Sequence, residues 1–138
     1  MDDAVGEVFQ AMLDRSCTAV DEPLAIPGDY SARISISGAF EANCSLEFPA
    51  SSAQQLTGAL LGPSDTAYDS IMVIDAVGEL CNMIAGGWKR RIGPQADGLI
   101  LSLPLPCGEP NHTAEAANNI RRAYVFDDSR FVVNLDQF

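Results

Sequence analysis

Cationic side chains are scarce in this chain. Lysine and arginine together number 8 against 19 aspartates and glutamates, for a formal charge of −11. Nucleic-acid binding needs a basic face, so this balance excludes it, and it disfavours anionic membrane surfaces. Long-range attraction favours instead a partner with a basic patch. Histidine is scarcer still. His112 stands alone in a polar stretch, without the serine or cysteine partner that would suggest a nucleophile. Cys17, Cys44, Cys81 and Cys107 are widely spaced and form no Cys-x-x-Cys pair. With a single histidine, they offer no zinc-ligand set. They are expected as reduced, mostly buried thiols of a cytoplasmic protein. No run approaches 18 consecutive apolar residues, so no membrane span is expected. Met1-Asp2-Asp3 lacks the basic start of a signal peptide.

What remains is ordinary globular composition: 138 residues, 47% hydrophobic and 20% charged, without low-complexity tracts. This is enough chain for one domain, residues 1–138, with a real core. Val5, Val8, Phe9, Met12 and Leu13 fall at helical spacing and predict a helix from Asp2 to about Ser16. Pro23, Pro27 and Gly28 mark an irregular connection. Alternation over Tyr30–Ser37 and Ala42–Phe48, broken at Gly38, predicts an antiparallel hairpin. Ser51 or Ser52 is placed to cap a short helix through Leu61, ended by Gly62-Pro63. A long helix is expected from about Thr66 to Ile92, stopped at Gly93-Pro94. Strands are expected over Gly98–Leu105, Asn119–Phe126 and Arg130–Leu135, the last two joined by a tight turn at Asp127–Ser129. Between the first two lies the polar loop Pro106–Asn118 with His112. The fold class is therefore α/β of the α+β type: two long helices packed on a mostly antiparallel sheet.

The long helix carries the chemistry. Steps of three and four residues bring side chains onto one face. They align Asp75, Glu79, Asn82, Gly86 and Lys89. Ile71, Val73, Ile74, Val77, Leu80, Cys81, Met83, Ile84 and Trp88 are expected to be buried. Such a narrow polar track is either the wet edge of an amphipathic helix or a contact surface for something polar. Gly86-Gly87 costs roughly 1 kcal/mol per glycine against alanine in a helix interior. That points to a close approach by another backbone or to a helix near its end. Lys89, Arg90 and Arg91 suit the negative end of the helix dipole; alternatively, Lys89 points toward a bound anion.

The segment Gly78-Glu-Leu-Cys-Asn-Met-Ile-Ala-Gly86 resembles the signature of the CheX/CheC/FliY group of chemotaxis phosphatases. That signature is an Asp or Ser, three residues, Glu, two residues, Asn, matched here by Asp75, Glu79 and Asn82. The family also carries a proline in a strand some way beyond, where Pro104 and Pro106 stand. Ala4–Gln10 echoes Ala76–Asn82 with a four-residue identity, Asp3 occupying the position of Asp75 and Gln10 that of Asn82. CheC-like members carry two active motifs and CheX-like members one; the Glu7/Gln10 copy is expected to be structural.

The stripe has no convincing nucleophile, and Glu79 with Asn82 cannot chelate a metal tightly, so no cofactor is expected on this chain. The resemblance implies action on a CheY-like response regulator, whose aspartyl phosphate brings its own Mg²⁺ and lysine. Hydrolysis then requires a water held in line, because phosphoryl transfer is dominated by positioning and electrostatics. A carboxamide can hold that water, since its oxygen accepts from water and its nitrogen donates to a phosphoryl oxygen. By resemblance, Asn82 orients the water and Glu79 pairs with the regulator's lysine. Gly86 allows close approach, and Asp75 and Lys89 lie at the interface. The alternative is a non-catalytic module that docks a regulator or a flagellar switch component through the same face. A homodimer through sheet edges is also implied, with Arg130–Leu135 as the candidate edge strand.

Overall fold

The computed structural model describes residues 2–13, 15–20, 28–62, 64–93, 98–106 and 118–137. The expected connection around Pro23 and Pro27, Cys107 and the loop bearing His112 lie outside them. Helix α3 (Ser70–Arg91) is the centre of the architecture. Asp69 caps it, its side chain accepting from Met72 N at 2.9 Å, so the helix starts a turn later than the apolar periodicity suggests. Its inner flank, Val73, Val77, Leu80, Cys81 and Ile84, is buried against β2 (Tyr30–Ser37) and β3 (Ala42–Phe48). The Cys81 thiol lies 3.5 Å from the Cys44 carbonyl. By length and hydropathy α3 could cross a membrane, but this flank is the hydrophobic core of the domain.

Two other helices flank α3 on the same side of the sheet: α1 (Asp2–Val8) and α2 (Ala50–Leu61). The expectation of two long helices therefore holds for α3 alone. After Val8 the backbone widens into a π turn, Phe9–Leu13. That turn ends the regular helix while keeping Phe9 and Leu13 buried; Phe9 lies 5.0 Å from Phe126 and 5.4 Å from Phe131, ring to ring. Neither Ser51 nor Ser52 caps α2. Its cap residue is Pro49, and Asp29, distant in sequence, accepts from Ala50 N at 2.9 Å. Ser52 accepts instead from Arg130 N.

The sheet is antiparallel throughout, in the order β1–β6–β7–β3–β2, with β4 and β5 both on the outer flank of β2. Here β1 is Thr18–Val20, absent from the sequence expectation, β6 is Asn118–Phe126 and β7 is Ser129–Gln137. The single strand expected over Gly98–Leu105 is two short pieces, β4 (Ile100–Leu101) and β5 (Leu105–Pro106). β6 and β7 meet at a two-residue turn, with Asp127 at φ 49°. β7 lies between β6 and β3, so Arg130–Leu135 has no free edge to offer a second copy. Among the described residues, the outer strands of the sheet are β1 on one side and β4 and β5 on the other.

Candidate functional site

Asp75, Glu79 and Asn82 are all exposed on α3, opposite its buried flank. The core holds the helix, and the helix holds the three side chains, so their relative placement needs no loop to order. Gly86 continues the line, half-buried. Lys89 does not reach solvent in the same way: its ammonium donates to the Leu99 carbonyl at 2.6 Å. Eleven residues past Gly78 and seven past Asn82, Lys89 leaves the helix between their two directions, about 20° from each, and turns to the Gly78 side. Gly78 faces the β4–β5 connection, where a Cβ on it would lie 3.3 Å from the Pro104 Cβ. Of the two prolines singled out by sequence, Pro104 is thus the one shown packed beside the motif.

The same angular rule overturns part of the expected core. Ile71 precedes Asn82 by three turns and shares its direction, so it is 71% exposed. Ile74 is 38% exposed, and Leu103, next to Pro104, 82%. The polar track therefore has an apolar border.

Two hollows flank the track. One, of about 480 Å³, is lined by Leu60, Leu61, Met72, Asp75, Ala76 and Glu79. The other, of about 380 Å³, lies where α1 crosses α3 and includes Glu7, Asn82, Gly86 and Arg90. Glu79 thus belongs to an apolar hollow and Asn82 to a charged one. Of the two echoing segments, Glu7 and Val8 from Ala4–Gln10 and Asn82 from Ala76–Asn82 line the second. Glu7 is occupied there by an ion pair with Arg91. Sequence reasoning placed neither Arg90 nor the α2 leucines at the site. Arg90 looked like one of three dipole-compensating cations, and only packing brings α2 alongside Glu79. Among the described residues, no group of three or more His, Cys, Asp or Glu side chains could hold a metal ion.

The described cysteines, Cys17, Cys44 and Cys81, are thiols and lie away from the track. Cys17 is half-buried, and burial pushes its thiol up from 9.0 to about 12. Burial, reinforced by a 2.6 Å hydrogen bond to Asp2, raises the Tyr124 phenol. Neither group is a reactive thiolate or phenolate at neutral pH.

The sequence profile of the chemotaxis phosphatase CheX family matches residues 30–126, well over half of the chain and including the whole of α3. The chain belongs to the CheX family. No curated protein matches it. Among solved structures, chemotaxis protein CheX from Vibrio vulnificus superposes with a TM-score of 0.78 at 20% identity, over 99% of this chain and 92% of that one. CheX from Desulfovibrio desulfuricans gives 0.72 at 23% identity, over 99% and 95%. A CheX from Borrelia burgdorferi, whose structure is a CheX–CheY–BeF₃–Mg²⁺ complex, gives 0.69 at 16% identity, over 98% and 93%. At these identities the likeness shows that the fold is shared.

Proposed function

We propose that this protein dephosphorylates the aspartyl phosphate of a CheY-like response regulator. The observation that carries the reading is the exposed pair Glu79 and Asn82, one turn apart on a helix locked into the core, in a chain of a phosphatase family. The Borrelia relative's complex with CheY supports the choice of partner. Asn82 accepts a hydrogen bond from the attacking water and donates to a phosphoryl oxygen. Water adds to phosphorus and the bond to the aspartyl oxygen breaks. Inorganic phosphate leaves, the aspartate carboxylate is restored and one proton is released. Glu79 forms an ion pair with the regulator's lysine. A carboxylate in place of Asn82 would repel the phosphoryl group, which is why the two side chains are not interchangeable. Mg²⁺ belongs to the regulator's site and neutralises charge there. Gly86 keeps the helix surface low at the contact, and Asp75 borders it. Lys89, committed to the Leu99 carbonyl, serves the packing of β4 against α3. The reaction places the protein in the cytoplasm with its regulator.

The test is phosphate release from a phosphorylated CheY-like regulator with and without this protein. Acceleration by the parent and none by Asn82→Ala supports the reading. Tight binding without acceleration by the parent would leave a docking module instead.

A further inference from the structure

Arg90 is the feature of the groove that this mechanism does not use. It is exposed near the C-terminal end of α3 and lines the same hollow as Asn82. Long side chains on a helix lean toward its N-terminus, over the preceding turn. Arg90 does so across the glycine pair: its guanidinium nitrogens lie 3.7 Å from the places where Cβ atoms of Gly86 and Gly87 would be. The absence of side chains at these two positions gives the guanidinium a bed one turn from Asn82. Gly87 also meets α1, at Ala4 and Val8.

Of the exposed arginines, Arg90 and Arg130 have no ion pair among the described residues, and of these two only Arg90 lines the groove of Asn82. Arg15 pairs with Asp127, Arg91 with Glu7, Arg121 with Glu47 and Arg122 with Asp2. Glu7, the carboxylate in the same groove, is therefore already taken. Among the described residues Arg90 has no ion pair, in a protein with an excess of acid. A guanidinium so placed presents a planar fork of donors that matches a carboxylate. The proposed partner carries carboxylates beside its acyl phosphate, because Mg²⁺ there is held by one or two of them together with the phosphate.

We infer that Arg90 is a specificity-determining contact: its guanidinium, laid over Gly86-Gly87, binds a carboxylate at the rim of the regulator's metal site. The inference rests on the proposed function. Glu79 and Arg90, both on the Asn82 side of α3, then read opposite charges on the same partner. Arg90 would work in binding, not in the chemical step.

The experiment measures affinity for the beryllofluoride–Mg²⁺ form of a CheY-like regulator, at low and high salt, beside steady-state dephosphorylation. Arg90→Glu should weaken binding about tenfold or more at low salt, raise KM and leave kcat nearly unchanged. Arg90→Lys should recover most of the affinity. Added salt should weaken the parent's binding and narrow its advantage over Arg90→Glu. Arg90→Gln, which adds no acid to the helix end, repeats the measurement should Arg90→Glu unfold. Arg130→Glu makes the same charge change on the sheet face away from α3 and should bind like the parent. Unchanged affinity in Arg90→Glu overturns the inference, as does an equal loss in Arg130→Glu or a fall in kcat alone. Asn82→Ala separates this from the mechanism: full turnover there with weakened binding in Arg90→Glu removes the water-positioning role and keeps the Arg90 contact.

Discussion

Gly78 and Pro104 meet where the motif helix leans on the edge of the sheet, so closely that a methyl group on Gly78 would stand 3.3 Å from the proline ring. The contact sets the height of α3 over the β4–β5 connection and therefore how far Asn82 and Glu79 protrude. Gly78→Ala gains helix propensity of about 1 kcal/mol against a few tenths of an ångström of displacement in an irregular segment. It should change stability by less than about 1 kcal/mol. Gly78→Leu cannot be absorbed and should cost about 1–3 kcal/mol, as overpacking does. Denaturant titration of both variants checks this; a Gly78→Leu protein as stable as the parent would show that the contact does not constrain the helix.

Asn82→Ala should lower turnover on the order of 100-fold and leave the melting temperature unchanged. Asn82 is exposed, so truncation opens no cavity. Parallel melting and dephosphorylation measurements decide it.

Glu79 should behave differently. Losing one member of a desolvated charge pair costs roughly 2–5 kcal/mol. Glu79→Ala should thus weaken binding to the activated regulator as well as slow hydrolysis, and Glu79→Lys should be worse. Asn82→Ala should mainly lower kcat. Binding titrations that show Glu79→Lys as tight as the parent would remove the proposed ion pair.

The first-helix copy should matter little. Glu7 is held by Arg91, and such exposed pairs contribute about 0–1 kcal/mol. Glu7→Ala with Gln10→Ala should keep most of the dephosphorylation rate and nearly all of the stability. Loss of half the rate or more without unfolding would reveal a second working site.

Alkali should destabilise the fold through Cys17. Its thiol holds its proton more tightly folded than unfolded, with a folded value of about 12 against 9.0. The stabilisation is therefore complete below about pH 9 and is lost as pH rises toward about 12. Cys17→Ala should flatten the decline measured by denaturant unfolding across that range. Tyr124, shifted the same way, should leave part of it.

Local periodicity was enough to place the β2–β3 hairpin, the β6–β7 turn and the existence of α3, because each depends on alternation or helical spacing within a few residues. It was also enough to align Asp75, Glu79 and Asn82, since three- and four-residue steps determine a helix face by themselves. What it could not supply was the neighbourhood of that face. Ile71 looked like core, yet the face buried by the sheet passes it by. Asp29 caps α2 from another element. The strand of sequence 130–135 sits inside the sheet because β3, distant in sequence, pairs with the side that β6 leaves open, and so offers no edge. Lys89 and Arg90 are adjacent in sequence and similar in charge. The 100° turn between them sends one to the Leu99 carbonyl and the other over Gly86 into the groove of Asn82. Sequence specifies the direction in which each side chain leaves the helix; what it meets depends on segments brought there by chain reversal, and only the tertiary structure decides that.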